Sequence, residues 1–100
     1  MKSIYDAIGE PAVLEMVAEE SVELAKACLK LSRILRGENP TPVPETIAAE
    51  RVMEEAADVN AAMIVLSSAE WYSEDKVLDI WWKKTERWKE RIRKRMEENG

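Results

Sequence analysis

Two short acidic stretches lie in segments that otherwise repeat apolar residues at helical spacing. They are residues 19–23 (EESVE) and residues 54–58 (EEAAD). On a helical wheel that turns about 100° per residue, Glu20 falls inside the apolar arc of its segment and Glu55 inside that of the other. A second acid lies about 60° to the side on each wheel. These flanking acids are Glu23 and Asp58.

Four acids directed toward a core require a counter-charge, because burying an ionised carboxylate without a partner costs several kcal/mol. Acids three residues apart lie on one helix face, about 4.5 Å apart along the axis. Two such helices packed about 8–10 Å apart could bring all four carboxylates to one site. Hard oxygen ligands favour Mg²⁺, Mn²⁺ or Ca²⁺, and a chain with no His and one Cys is a poor ligand for zinc or haem. A structural salt bridge to a Lys or Arg is the alternative.

The elements that must hold these acids are predicted as helices. Ser3 can cap a short first helix with Asp6 as its reciprocal partner, and Gly9 can end that helix. Pro11 suits the first turn of a second helix that runs to Leu35 without an internal Pro or Gly. On its solvent side, Glu15 and Glu19 lie among basic residues, so they are expected to be exposed. Those basic residues are Lys26, Lys30 and Arg33.

A loop and two further helices complete the predicted fold. Residues 37–45 (GENPTPVPE) form the loop, because Gly37 stops the helix and three prolines cannot donate helical hydrogen bonds. The third helix is predicted to begin near residues 44–46 and to end near residues 68–71. Ser73 can cap a fourth helix that runs almost to the terminus. No strand alternation appears, so we expect an all-α protein, an antiparallel four-helix bundle in one domain of residues 1–100.

Charge and hydropathy constrain the class of protein further. Residues 1–82 carry 7 basic and 16 acidic side chains (−9), and residues 83–100 carry 8 and 4 (+4), which sums to the net −5. Cys28 lies on an apolar arc, so we expect a buried thiol in a reducing compartment. No apolar run approaches the roughly 18 residues of a membrane span, and the N-terminus lacks a signal peptide. We therefore expect a soluble, cytoplasmic protein that does not insert in a membrane.

The two acidic stretches resemble the paired acidic motifs of the all-α nucleoside triphosphate pyrophosphohydrolases, the MazG-like family. The surrounding residues 16–27 (MVAEESVELAKA) and 54–59 (EEAADV) look like its short, phage-associated members. The resemblance covers about residues 12–95 and rests on two acidic pairs separated by a helix-breaking loop. It implies an antiparallel helical bundle that acts as a homodimer or homotetramer. It also implies Mg²⁺-dependent cleavage of a nucleoside triphosphate to the monophosphate and pyrophosphate, with Mn²⁺ as a possible substitute.

The resemblance also implies roles for individual residues. Glu19 matches a motif acid and is grouped with Glu20 as catalytic. The chain departs from the family in its 31-residue spacer between the acidic pairs, in Ala62 where some members carry Asn, and in a C-terminal basic motif only loosely met by residues 83–88. These departures concern the substrate contacts more than the metal contacts. The residues that match metal ligands are Glu20, Glu23, Glu55 and Asp58.

The fourth helix supplies candidate substrate contacts. Three basic residues lie along one edge of its apolar stripe, where they could bind phosphates or serve as ordinary surface charge. They are Lys84, Arg87 and Arg91, and the stripe consists of Val77, Trp81, Trp88, Ile92 and Met96. The four Trp residues, Trp71, Trp81, Trp82 and Trp88, are expected in a core or a dimer interface.

The resemblance, together with the predicted cation site, implies an Mg²⁺-dependent nucleoside triphosphate pyrophosphohydrolase. One alternative is a non-enzymatic helical module that binds nucleic acid through the basic, Trp-containing last helix, although that leaves the central acids unexplained. Another is a catalytically silent relative that serves only for assembly. A homodimer or dimer of dimers is expected, because the third helix is apolar on two faces. The contact is predicted at or beside Met53, Ile64 and Trp71.

Overall fold

The computed structural model describes residues 3–38 and 43–99, which contain four α-helices and no β-strand. The predicted all-α class is confirmed. The helices are α1 (Ile4–Ile8), α2 (Glu10–Leu35), α3 (Glu45–Leu66) and α4 (Glu74–Asn99). Within the described residues, none of the helices combines the length and the hydropathy that a membrane span requires.

The first two helix boundaries follow from local capping chemistry. The Ser3 hydroxyl accepts a hydrogen bond from the Asp6 amide at 3.0 Å and caps α1, as predicted. Gly9 adopts a φ of 87°, and its amide donates to the Tyr5 carbonyl at 2.9 Å. The Gly9 carbonyl accepts from the Val13 amide at 3.1 Å, so this one glycine ends α1 and begins α2.

Helix α2 ends at a glycine in the left-handed conformation, again as predicted. Gly37 has a φ of 71°, and its amide donates to the Ile34 carbonyl at 3.0 Å. The Glu38 amide donates to the Arg33 carbonyl at 2.9 Å, which completes a Schellman motif. Two of the prolines that predicted the following loop, Pro40 and Pro42, lie outside the described residues.

Helix α3 begins within the predicted range and ends slightly early. The Pro44 carbonyl accepts from the amides of Ile47 and Ala48, each at 3.1 Å. After Leu66 the chain forms turns in which each amide bonds three residues back, a common way for a helix to terminate. The Ser73 hydroxyl accepts from the Lys76 amide at 3.2 Å and caps α4, which confirms the predicted start of that helix.

The core lies between α2 and α3, with the short α1 against both. Its residues are small, which allows two helices to approach closely. The side of α3 that packs on the core is the one predicted, since Val59 and Glu55 are half-buried while Ile64 on the opposite side is 71% exposed. Among the described residues, the buried ones are Val13, Ala48, Ala62, Leu66 and Ala69.

The packed side of α2 is rotated relative to the predicted arc. Cys28 is exposed, so the prediction of a buried thiol was wrong. The reason is that α3 covers the flank of α2 that carries Ala27, Lys30 and Ile34, all of which are half-buried. Cys28 lies just beyond the other edge of this contact. The predicted arc therefore places Glu20 correctly, since this residue is half-buried. It extends too far on the side of Cys28, which the neighbouring helix does not cover.

The chain divides into two compact units, one ending at Ala69 and the other beginning at Glu70. The first unit holds α1, α2 and α3, and the second holds α4. The α4 stripe is exposed, with Trp81 at 59% and Trp88 at 67%, and Trp71 and Trp82 are exposed too. The Trp residues therefore do not form a core in this chain, and their place in an interface stays a prediction.

Candidate metal centre

Three carboxylates from two helices converge in the first unit. Glu20 comes from α2, and Glu55 and Asp58 come from successive turns of α3. Each offers one carboxylate oxygen such that the three oxygens all lie within 4.8 Å of one another. Glu20 and Glu55 are half-buried and Asp58 is exposed. The structure thus brings together three of the four predicted metal ligands, which we call the acidic cluster.

The geometry of the helix pair explains this convergence. Residues three apart share one helix face, so Glu55 and Asp58 both point to the side of α3 that α2 approaches. Glu20 lies near the middle of the packed side of α2. Glu20 of α2 lies beside Asp58 of α3, whereas the later residue Lys30 of α2 lines a hollow with the earlier residue Arg51 of α3, so the two helices run antiparallel.

Glu23, the fourth predicted ligand, lies outside the acidic cluster. Its Oε1 atom accepts from the Nζ atom of Lys26 at 3.4 Å, and both side chains are more than half exposed. An exposed ion pair of this kind contributes little to stability, because water screens it. Glu23 is nevertheless close enough to affect Glu55 electrostatically. It is therefore a neighbour of the cluster and not one of its members.

The environment of Glu55 disfavours its negative charge. Partial burial is the main cause that raises the pKa of this carboxyl above its ordinary value of 4.5, and the nearby carboxylate of Asp58 is the next. Glu20, Glu23 and Glu54 raise it further. All of the neighbouring charges act in the same direction. A bound cation would relieve this repulsion.

No basic side chain neutralises the cluster within residues 3–38 and 43–99. The described ion pairs join Lys26 to Glu23 in the first unit and join neighbours along α4 in the second. None of them includes Glu20, Glu55 or Asp58. The alternative of a structural salt bridge is therefore not what these residues form. A donor set of carboxylate oxygens alone fits Mg²⁺, Mn²⁺ or Ca²⁺ better than zinc.

The other predicted site residues lie elsewhere. Glu19 is exposed and does not belong to the acidic cluster. Lys84, Arg87 and Arg91 are exposed on α4, in the second unit, and form no ion pair in the described part of the chain. Arg91 lines a shallow hollow of α4 together with Trp88 and Arg95. Their role in substrate binding stays a prediction.

A small hollow beside the cluster is lined by three basic residues. The sequence pattern placed Lys26 and Lys30 on the solvent side of their helix, and Arg51 was not predicted as a site residue. The hollow has a volume of about 150 Å³. On a helical wheel Lys30 lies about 20° from Glu23, and Arg51 precedes Glu55 by one turn. The spacing therefore indicates that each basic residue lies on the same side of its helix as an acid of the predicted site. The hollow is lined by Glu23, Lys26, Ala27 and Lys30 of α2 and by Arg51 and Glu55 of α3.

Comparison with known proteins identified no relative. The chain matches no protein-family model, no curated protein and no solved structure.

Proposed function

We propose that this protein is an Mg²⁺-dependent nucleoside triphosphate pyrophosphohydrolase. The observation that carries the proposal is the acidic cluster, three carboxylates from two helices with their oxygens within 4.8 Å and no basic partner among the described residues. Such a cluster costs stability unless a cation joins it. The resemblance of the two acidic stretches to the MazG-like family supports the substrate and reaction class.

The protein's own residues would perform two tasks in this reaction. Glu20, Glu55 and Asp58 hold the cation, and the half-buried position of the first two strengthens their attraction for it, because water screens them less. A bound Mg²⁺ or Mn²⁺ supplies charge neutralisation at the phosphates and lowers the pKa of a water molecule. Of the two acids predicted to be catalytic, Glu20 belongs to the cluster and Glu19 does not.

The reaction would use water as its only co-substrate. An oxygen of water forms a bond to the α-phosphorus of the nucleotide, and the bond from that phosphorus to the bridging oxygen of the pyrophosphate breaks. The pyrophosphate departs with the electron pair of that bond, and the proton that the attacking water loses passes to the solvent. The nucleoside monophosphate and pyrophosphate are the products. Lys84, Arg87 and Arg91 are proposed to hold phosphate charge.

The proposal also includes an assembly and a location. A MazG-like antiparallel four-helix bundle would form a homodimer or homotetramer, which the exposed Met53 and Ile64 of α3 support. We propose a cytoplasmic location, because a single unpaired Cys suits a reducing compartment.

The test is pyrophosphate release from a panel of natural and modified nucleoside triphosphates, with Mg²⁺ and with a chelator. We expect release from at least one nucleotide that requires Mg²⁺ and that Glu20→Gln abolishes. Glu15→Gln is the matched control, because Glu15 is an exposed acid of the same helix. Absence of release from every nucleotide, or equal release by Glu20→Gln and wild type, would contradict the proposal.

A second candidate function rests on α4. Its exposed Trp81 and Trp88 accompany a basic C-terminal half, a combination found in modules that stack on bases and contact phosphates. This non-enzymatic module would bind single-stranded nucleic acid without Mg²⁺ and with a steep dependence on salt. Fluorescence anisotropy with a labelled oligonucleotide at two salt concentrations tests it: binding without Mg²⁺ that weakens steeply with salt would support the module, and no binding at either concentration would contradict it.

A further inference from the structure

The hollow between α2 and α3 adjoins the acidic cluster directly, because Glu55 belongs to both. The cluster occupies one end of this groove, where Glu20 and Asp58 meet Glu55. Lys30 and Arg51 line the hollow next to that end. One short groove therefore presents carboxylates at one end and two basic side chains beside them.

Two of the basic residues of the hollow form no ion pair with the acids among the described residues. Lys26 is paired with Glu23, but neither Lys30 nor Arg51 forms an ion pair within the residues that the structure describes. Lys30 is half-buried and Arg51 is exposed, and both line the hollow. Glu23 also lines the hollow but is paired with Lys26, so two basic side chains without an ion pair lie beside the carboxylates of the cluster. This arrangement suits a ligand that carries both charges, an anion bound together with a cation.

The size of the hollow selects the part of the ligand that fits. About 150 Å³ is the share of roughly five water molecules in the liquid. Sites that enclose a whole drug-sized molecule are about 300–1,000 Å³, so the hollow encloses only a part of a nucleotide, such as one phosphate group, and the rest of the ligand would extend beyond it. Arg51 precedes Glu55 by four residues, or about 6 Å along the helix. This distance suits a phosphate group next to one that the cation binds.

We propose that Lys30 and Arg51 hold one phosphate group of a polyphosphate whose neighbouring phosphate is bound through the cation at the acidic cluster. The guanidinium of Arg51 can donate two parallel hydrogen bonds to phosphate oxygens, and the ammonium of Lys30 adds a compact charge. The inference rests on the proposed function, since it assigns the phosphate-positioning residues of the same site. In this arrangement the phosphate chain would run along the groove toward the C-terminal half of α2.

The test is calorimetric binding of inorganic pyrophosphate in the presence of Mg²⁺. We expect Lys30→Gln and Arg51→Gln each to weaken binding roughly tenfold or more, the usual effect of a lost hydrogen bond to a charged group. Gln keeps two methylenes of the apolar stem and is a good helix former, so the helices should still fold, which circular dichroism checks. Arg33→Gln is the matched control on α2, because Arg33 is exposed and does not line the hollow.

A second measurement separates this inference from the proposed function. Mn²⁺ binding without phosphate, followed by electron paramagnetic resonance, should be unchanged in Lys30→Gln and Arg51→Gln and lost in Glu20→Gln. Pyrophosphate binding that depends on Lys30 and Arg51, in a protein that hydrolyses no nucleotide, would support the inference and overturn the proposed function. Hydrolysis by wild type with pyrophosphate binding unchanged in both variants would overturn the inference alone. Absence of pyrophosphate binding by wild type would overturn it as well.

Discussion

Glu20 of α2 and Glu55 of α3 place carboxylate oxygens within 4.8 Å of each other in a half-buried helix contact. The helices could have avoided this repulsion with a small apolar residue at either position, since the neighbouring contacts are made by residues such as Ala48 and Ala62. The arrangement is therefore expected to weaken the apo-protein and to strengthen the protein when a cation is bound.

Removing one carboxylate of the cluster should abolish turnover while leaving the helices folded. We expect Glu20→Gln and Asp58→Asn each to lower kcat at least 100-fold, because each removes a ligand of the cation. In the absence of metal their melting temperatures should equal or exceed that of wild type, because a like charge has been removed. Circular dichroism melting and a pyrophosphate assay test both parts. Wild-type activity in either variant would contradict the metal assignment.

Glu23 should tolerate substitution better than Glu20, because it lies outside the cluster and is paired with Lys26. We expect Glu23→Gln to weaken Mg²⁺ binding by less than Glu20→Gln does, with kcat reduced but measurable. Titration of each variant with Mn²⁺ measures the affinity directly. Equal loss of metal affinity in the two variants would indicate that Glu23 leaves Lys26 and joins the cluster when the cation binds.

The sequence was most informative where the structure depends on residues that are close together along the chain. Ser3, Gly9, Gly37 and Ser73 end or begin helices through hydrogen bonds that span three to five residues, so their roles could be read from the sequence. The placement of Glu55 on the packed side of α3 was also readable, because a wheel depends only on the geometry of one helix.

The sequence was less informative where the structure depends on how two helices fit together. The exposure of Cys28 follows from the rotation of α2 against α3, which no single wheel contains. In the same way, the exclusion of Glu23 from the cluster and the meeting of Lys30 with Arg51 depend on which turns of the helices lie opposite each other. That register is set by packing around small residues such as Ala62, far along the chain from α2.

The stability of the metal-free protein should depend on the ionisation of Glu55. Its pKa is raised above 4.5 in the folded protein, chiefly by partial burial and then by Asp58 and Glu20. Folding thus favours the protonated form, so the stabilising contribution is complete below about pH 4.5 and is lost as the pH rises through the folded-state pKa. Above that pKa, the charged Glu55 destabilises the fold relative to Gln.

We therefore expect Glu55→Gln to stabilise the metal-free protein by an amount that grows as the pH rises from about 4 to about 7, the range in which a carboxyl group with a raised pKa ionises. At higher pH the stabilisation should stay constant. Urea unfolding with a chelator present measures the free energy of unfolding at each pH. Glu50→Gln is the matched control, because it removes an exposed acid of α3 outside the cluster. A benefit of Glu55→Gln that shrinks as the pH rises would contradict the interpretation.

A cation that binds only the folded protein should raise its melting temperature by mass action. At a free Mg²⁺ or Mn²⁺ concentration ten times the dissociation constant, the expected gain is about 1.4 kcal/mol, or several degrees for a domain of this size. Differential scanning fluorimetry with and without nucleotide measures the shift, and Asp58→Asn should reduce it. Unchanged melting at millimolar Mg²⁺ with nucleotide present would exclude the site.

The final prediction concerns assembly. Met53 and Ile64 leave an apolar side of α3 64% and 71% exposed, opposite the side that packs on α2, and a helix that is apolar on two sides must bury both. We expect a second copy to cover this side, with Trp71 at or beside the contact. Sedimentation equilibrium at micromolar concentration should therefore give two or four times the 11.5 kDa of one chain. Ile64→Arg should lower that mass, whereas Ala18→Arg, which adds the same charge to an exposed position of α2, should not. A wild-type protein that sediments as a monomer would overturn the prediction.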